Sequence, residues 1–200
     1  FLGPNGAGKT TTQRALMDAI HPSSGTASIF GMDCQTQGIE IRQRIGYLPG
    51  ELHLYPNMRA NNFLDMLASL QDKRVDPRYR QELCSRLDLD PTRKMKEYSR
   101  GNKQKVGIVA SFMSKPDLLI LDEPTGGLDP LVQQTVMELV QEVKDDGRTV
   151  FFSSHILPEV QAVCDRVGII RDGELIQTSP VEALTKQAFK RVHLTFQNMP

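Results

Sequence analysis

The sequence predicts an α/β fold in which a parallel-sheet core carries an inserted helical subdomain. Two apolar runs, DLLILDEP at 117–124 and RTVFFSSH at 148–155, are typical of strands buried on both faces of a parallel sheet. The segment between them, from Pro130 to about Lys144, predicts the connecting helix of a βαβ unit. Between Pro56 and Met113, apolar residues recur instead at spacings of three and four, which predicts helices.

The residues ahead of the helical insertion predict one helix and two short strands. We expect the helix from Lys9 to Ile20, ended by Pro22 and a polar turn. TASIF and RIGYLP then have the composition of short strands. FL at the start is typical of the end of a buried strand, so we expect the chain to be cut there, with its N-terminal strands missing.

Three segments account for the predicted helical insertion: ANNFLDMLASLQ, PRYRQELCSRLDL and KVGIVASFM. Beyond the second apolar strand, GIIRDGELIQ predicts a hairpin that turns at Asp172 and Gly173. Ser179, Pro180 and Glu182 match a capping box with proline at the first helical position.

These elements divide the chain into three parts. Residues 1–51 and 114–188 are expected to form the core, and residues 52–113 the helical subdomain. The last segment, 189–200, contains RVHLTFQNMP, which alternates like a strand and has no following segment with which to pair. We expect it to begin a C-terminal extension that is cut short.

The composition argues against several classes of protein. The 24 basic and 24 acidic side chains give no overall positive field, which disfavours a dedicated nucleic-acid binder. Cys34, Cys84 and Cys164 lack metal-ligand spacing and suit a reducing compartment. No apolar run reaches the ~20 residues that span a bilayer. We therefore expect any membrane role to come through a partner.

The stretch GPNGAGKT, from Gly3 to Thr10, satisfies the phosphate-loop pattern G-x-x-x-x-G-K-[ST]. Its glycines allow backbone N–H groups to surround phosphates, Lys9 is expected to reach the β and γ phosphates, and the Thr10 hydroxyl to bind Mg²⁺. A chance glycine turn is the alternative. The position between a strand end and a helix favours the phosphate loop.

Acidic side chains follow the first apolar strand at the edge where open parallel sheets bind ligands. Because neighbouring strand residues face opposite ways, Asp122 can face a metal ion while Glu123 addresses an attacking water. A solvated strand end is the alternative interpretation. His155 follows the next strand in the same relation to the sheet, where its imidazole can contact a γ phosphate, although a lone histidine there is more often a surface residue.

Taken together, GPNGAGKTT, YSRGNKQ, LLILDEPTGGLDP and His155, in this order and spacing, resemble the ATP-binding cassette (ABC) family, specifically the ATPase subunit of a transporter. The resemblance implies a P-loop NTPase core, with ATP and Mg²⁺ as cofactors. It assigns the metal to Thr10 and Asp122, and catalysis to Lys9, the general base Glu123 and the switch residue His155. It assigns phosphate binding to Gly3, Pro4, Asn5, Gly6, Ala7, Gly8, Lys9, Thr10 and Thr11.

The resemblance also explains a second polar glycine segment, residues 98–102, which we call the signature segment. In the family this segment caps the γ phosphate held by a second, antiparallel cassette. Ser99 and Gly101 match the family pattern LSGGQ, whereas Tyr98, Arg100 and Asn102 depart from it. Ser99, Gly101 and Asn102 still offer a hydroxyl, a backbone N–H and an amide. The loop linking the two sites maps onto Gly127, Leu128 and Asp129, with Asp129 expected near the nucleotide.

Two further points concern the metal ion and the adenine of the nucleotide. The family usually has a glutamine where this chain has Gly50, and either Glu51 or water is expected to take its place in the metal shell. The aromatic residue that stacks on adenine lies upstream of the phosphate loop in the family. ATP, rather than another nucleotide, is therefore implied by the resemblance alone.

The resemblance implies an ATP-hydrolysing transporter subunit that dimerises on ATP, expected as a homodimer, and works through separate transmembrane permease subunits on the cytoplasmic face of the membrane. YLPGELHLYPNM resembles cassettes that pair with exporter-type (ABC-2-like) membrane subunits, so we expect export. The alternatives are a soluble cassette ATPase in translation or DNA maintenance, and a non-catalytic ATP switch. No direct nucleic-acid partner is expected.

Overall fold

The computed structural model describes residues 1–71 and 75–187. The helices are α1 (Lys9–Leu16), α2 (Gly38–Gln43), α3 (Ala60–Ser69), α4 (Pro77–Arg86), α5 (Arg100–Phe112), α6 (Pro130–Asp145), α7 (Leu157–Val163) and α8 (Val181–Gln187), with a 3₁₀ turn at Met95–Glu97. The strands are β1 (Ser28–Ile29), β2 (Met32–Asp33), β3 (Ile45–Leu48), β4 (Leu118–Asp122), β5 (Thr149–Ser153), β6 (Arg166–Arg171) and β7 (Glu174–Pro180).

A parallel sheet in the order β3-β4-β5 forms the centre of the fold. All five residues of β4 are buried, because α-helices cover both faces of the sheet, as its continuous apolar sequence predicts. Leu2 forms parallel bridges with Ser154 and Ile169, which places the first residues between the β5 side of the sheet and the β6-β7 hairpin. The carboxyl ends of β3, β4 and β5 consequently lie along one edge, beside residues 1–8.

The helical region packs directly on this sheet through α5. Val106, Ile108, Val109 and Phe112 are fully buried and belong to the same apolar cluster as Leu119 and Leu121 of β4.

Close approach of the helix and the sheet requires small residues. A Cβ at Gly107 would lie 2.7 Å from Leu48 Cδ1, and one at Gly46 would lie 2.0 Å from the Ser111 carbonyl oxygen. α5 is therefore held against β3, with its N-terminus near the edge where β4 ends.

Several sequence predictions are confirmed and others are wrong. The βαβ unit and the hairpin turn are confirmed, and Asp172 and Gly173 adopt the positive φ angles, 50° and 82°, that the turn requires. The first helix ends at Leu16 rather than Ile20, because Asp18 takes a left-handed conformation with φ 57°. α8 begins after Pro180, and the Ser179 hydroxyl is buried without a hydrogen-bond partner, so the capping box does not form.

The sequence interpretation missed α2, α7 and the second strand of the β1-β2 hairpin, all of which are short and weakly periodic. The predicted strand after Arg191 lies outside the described residues. Within residues 1–71 and 75–187, no helix is both long and apolar enough to cross a membrane.

Candidate functional site

A cavity of about 500 Å³ lies at the edge of the sheet, between the glycine loop and the carboxyl ends of β3 and β4. The residues that line it are Asn5, Gly6, Gly8, Lys9, Thr10, Thr11, Arg14, Gly50, Glu51, Asp122 and Glu123. Six of the nine loop residues assigned to phosphate binding and both predicted metal ligands therefore converge here, whereas Gly3, Pro4 and Ala7 do not line the cavity. Arg14, one turn further along α1, was not predicted.

The glycine loop leads into α1 with a geometry that non-glycine residues do not readily adopt. Gly8 is the N-cap of α1, and its φ of 107° lies in a region that only glycine reaches without strain. A Cβ at Gly3 would lie only 2.4 Å from the Ile170 carbonyl oxygen. No side chain caps the first turn of α1, so its backbone N–H groups and the positive end of the helix dipole face the cavity.

Lys9 is held inside this loop with only 4% of its surface exposed. Its ammonium group donates to the carbonyl oxygens of Gly3, at 2.8 Å, and Pro4, at 3.1 Å. It also lies 3.2 Å from Glu123 Oε1. The loop backbone thus fixes the position of a positive charge beside the cavity.

Asp122 ends β4 with both carboxylate oxygens occupied. Its Oδ2 accepts a hydrogen bond of 2.5 Å from the Thr10 hydroxyl, and its Oδ1 accepts one of 2.5 Å from the Ser153 hydroxyl. The sequence analysis missed Ser153, because its pairing with Asp122 depends on the β4–β5 register, which the sequence does not specify.

The Thr10 hydroxyl and the Asp122 carboxylate also fit a magnesium site. Thr10 and Asp122 place a hydroxyl and a carboxylate together at the mouth of a cavity, and Mg²⁺ is usually bound by one or two such groups together with substrate phosphates.

Glu123 leaves the strand in a left-handed conformation, with φ 48°. Such a conformation costs a non-glycine residue roughly 1–3 kcal/mol, and strained residues of this kind are frequent at functional sites. The carboxylate is 32% exposed, and its Oε1 lies 3.2 Å from Lys9 Nζ and 3.3 Å from His155 Nδ1. The structure thus brings together the three side chains that the sequence assigns to catalysis.

The loop after β3 contributes two residues to the cavity. A Cβ at Gly50 would lie 2.9 Å from Asp122 Oδ2, which is closer than real Cβ contacts come. A side chain at this position would therefore require the Asp122 carboxylate to shift. Glu51 also lines the cavity, which leaves it as the one ionisable side chain that this loop presents there among the described residues.

The signature segment lies elsewhere in the same chain. Ser99 is the N-cap of α5 and accepts a hydrogen bond of 3.2 Å from the Asn102 N–H. Tyr98, a departure from the family pattern, is buried and donates to the Asp90 carbonyl oxygen, which anchors the segment. Among the described residues that line the cavity, none belongs to the signature segment.

Asp129 has a local structural role that the sequence interpretation did not assign. It is the N-cap of α6 and accepts from the Val132 N–H at 3.1 Å. It does not line the cavity either.

A glycine loop with a buried lysine, a threonine paired to a strand-end aspartate and a neighbouring glutamate define a P-loop fold that binds nucleotide phosphates. Residues 1–126 match the family model described as ABC transporter, and the chain belongs to that family.

Curated relatives agree with this assignment. The chain is 38% identical over 191 residues to an uncharacterized ABC transporter ATP-binding protein of Nostoc, and covers 56% of it with 92% of its own length. It is 38% identical over 204 residues to the bacitracin transport ATP-binding protein BcrA of Bacillus licheniformis, covering 64% of that protein with 98% of its own length. The chain thus spans about half the length of two of these relatives: 56% of the Nostoc protein and 51% of an uncharacterized ABC transporter ATP-binding protein of Synechocystis.

Solved structures share the fold. An ATP-binding subunit of an ABC transporter superimposes with a TM-score of 0.83 at 29% identity, over 93% of this chain and 79% of that one. A dimeric cassette, MJ0796, described as a post-hydrolysis state bound to ADP and Pi, superimposes with a TM-score of 0.79 at 23% identity, over 90% and 83% of the two chains.

Proposed function

We propose that this chain is the ATP-binding and ATP-hydrolysing part of a transporter's ATPase subunit, which dimerises on ATP and drives export through separate membrane subunits. The observation that carries the proposal is that Glu123 Oε1 lies 3.2 Å from Lys9 Nζ and 3.3 Å from His155 Nδ1, beside the phosphate loop. A positive charge, a carboxylate and an imidazole at that distance can bind phosphate and orient a water molecule.

In the proposed reaction, the phosphates of ATP take over from the Gly3 and Pro4 carbonyl oxygens as partners of Lys9. When Lys9 binds the phosphates, its ion pair with Glu123 is broken, and Glu123 is free to accept the proton of the attacking water. His155, 3.3 Å from the same carboxylate, is placed to hold that water or a γ-phosphate oxygen in position. Thr10 and Asp122 would hold a Mg²⁺ ion, which would supply charge neutralisation at the phosphates.

The partners are proposed from two facts. Ser99, Gly101 and Asn102 do not reach the cavity of their own chain, so we infer that they cap the nucleotide of a second subunit, in a homodimer. The similarity to a bacitracin transport ATP-binding protein supports a transport role. We place the protein at the cytoplasmic face of the membrane, held there by those subunits, with no direct nucleic-acid partner.

The test is Glu123→Gln in the full-length protein. Removing the base while keeping the shape of the side chain is expected to lower ATP hydrolysis by at least ~100-fold, the usual contribution of general base catalysis. ATP binding is expected to persist, so gel filtration is expected to show an ATP-dependent dimer. Glu40→Gln, on α2 and away from the cavity, is the matched control. A Glu123→Gln protein with near wild-type turnover would exclude Glu123 as the base.

A further inference from the structure

Glu159, on α7, makes two hydrogen bonds that none of the recognised sequence motifs accounts for. Its Oε1 accepts from the Thr125 hydroxyl at 2.7 Å, and its Oε2 accepts from the Ser154 hydroxyl at 2.6 Å. Thr125 is 4% exposed and Ser154 is 2% exposed, so both hydroxyls depend on protein partners rather than on solvent.

The two donors come from the two loops that carry the reacting side chains. Thr125 lies two residues after Glu123, and Ser154 directly precedes His155. One carboxylate therefore connects the loop after β4 to the loop after β5.

The chemistry of these bonds makes Glu159 difficult to replace. An ionised carboxylate only accepts hydrogen bonds, so each hydroxyl has its single proton directed at Glu159. The Ser154 oxygen also accepts a bond of 2.9 Å from the Ile156 N–H. A glutamine offers one acceptor oxygen and an NH₂ group, so it can satisfy only one of the two hydroxyl protons.

The connection has a consequence for Glu123. That residue holds a φ of 48°, and a strained conformation persists only where the surrounding structure enforces it. Its Oε1 to His155 Nδ1 distance of 3.3 Å also depends on the spacing of the two loops.

We propose that Glu159 is a positioning residue, which holds Glu123 and His155 at reacting distance by binding Thr125 and Ser154. The inference rests on the proposed function in that Glu123 is taken as the base. Glu159 itself touches neither the cavity nor, in this proposal, the nucleotide.

The test compares steady-state ATP hydrolysis by the full-length protein and its Glu159→Gln variant. We expect kcat to fall about tenfold, while KM for ATP changes less than twofold, because the phosphate loop keeps its own contacts. The melting temperature is expected to remain within a few degrees of wild type. Glu40→Gln is again the control and is expected to leave both kinetic constants unchanged.

Thr125 provides a second route to the same bond. Thr125→Ser keeps the hydroxyl and is expected to keep kcat, whereas Thr125→Val removes it and is expected to match Glu159→Gln. The double variant, Thr125→Val with Glu159→Gln, is expected to lose little more than either single variant, since they remove one shared interaction. These variants keep the proposal testable if Glu159→Gln does not fold.

Two results would overturn the proposal. One is an unchanged kcat in both Glu159→Gln and Thr125→Val. The other is a loss of kcat together with a similar fold-change in KM and a clear fall in melting temperature. Failure of the proposed function looks different. In that case the wild-type protein does not hydrolyse ATP, or Glu123→Gln hydrolyses it as fast as wild type, whatever Glu159 does.

Discussion

The phosphate-loop region and the signature segment both present a helix N-terminus, but they differ in how much of a site their own chain completes. Around the phosphate loop, Lys9 and Asp122 are almost fully buried and have several intrachain partners. In the signature segment, the Ser99 hydroxyl accepts only from its own helix. The first region forms a cavity within one chain, whereas the second presents a hydroxyl and a helix N-terminus outside that cavity.

The two regions are nevertheless in contact. The Gln104 amide, on the first turns of α5, donates to the carbonyl oxygens of Glu123, at 3.4 Å, and Pro124, at 3.2 Å. A Cβ at Gly101 would lie 2.9 Å from the Gly127 carbonyl oxygen. The signature segment is thus fixed against the loop that carries Glu123, although its helix end does not line the cavity.

The largest expected effect comes from mixed dimers that separate the two regions. We place Lys9→Ala in one subunit and Asn102→Asp in the other, purified with two tags. If the signature segment acts across the interface, one composite site loses both halves and the other is intact, so the dimer occludes one ATP. With both changes in one subunit, each site loses one half, and occlusion is expected to fall close to zero.

Asn102→Asp is preferred to a change at Gly101, where any side chain would collide with Gly127 of the same chain. In its own chain, the new carboxylate lies in the first turn of α5 and is expected to stabilise the helix slightly. Next to a phosphate ~4 Å away it costs about 4 kcal/mol per unit charge at an effective dielectric constant of ~20. Occlusion by the doubly substituted arrangement, and not by the split one, would show that the segment serves its own chain.

An intermediate effect is expected from Gly50→Ala, which tests how closely the phosphate-loop region is packed. The φ of Gly50 lies outside the left-handed region, so the backbone accepts alanine. The new Cβ, however, meets Asp122 Oδ2 at 2.9 Å. Overpacking costs ~1–3 kcal/mol, and we expect kcat for ATP hydrolysis to fall roughly tenfold as Asp122 is displaced.

The control for Gly50→Ala is Gly25→Ala. Gly25 has a φ of 80° and nothing within 4 Å of its Cβ position, so alanine strains the backbone there without a contact. It is expected to lower the melting temperature and leave kcat unchanged. A Gly50→Ala protein with the kcat of wild type would mean that the loop moves away from Asp122 during the reaction.

The smallest effect is expected from Arg86→Met, which removes an ion pair between α4 of the helical region and α6 of the core. The Arg86 guanidinium forms two bonds of 2.8 and 2.7 Å with Glu142, whose side chain is 53% exposed. Exposed pairs of this kind contribute less than about 1 kcal/mol. The control is Arg80→Met, whose partner Asp65 lies within the helical region.

The stability lost in Arg86→Met is expected to depend on pH. Bonds from Arg86 hold the pKa of Glu142 below its usual value, so the pair stabilises the folded state above the unfolded-state pKa. As pH falls through the lowered pKa, this contribution disappears. Urea unfolding at pH 7 and at pH 3 is therefore expected to show a difference between wild type and variant that shrinks at the lower pH.

Features that depend on residues close together in the chain could be predicted from the sequence. The glycine loop, the buried run of β4 and the turn at Asp172 and Gly173 each follow from local backbone requirements or from apolar periodicity. The end of α1 and the start of α8 were not predicted, because Asp18 takes a left-handed conformation and Ser179 is paired with Val167 in β7.

The sequence by itself predicted which groups bind phosphate and determined that Asp122 and Glu123 lie at a strand end, because those properties belong to short segments. Only the tertiary structure decided that Ser153 holds Asp122, that Gly50 lies against Asp122, and that Glu159 joins the loops carrying Glu123 and His155. The residues in each of these contacts are at least 31 positions apart in the chain, except where Glu159 meets its neighbour Ser154. Such contacts depend on the register of β4 against β5 and on where each helix packs, which no local pattern of residues specifies.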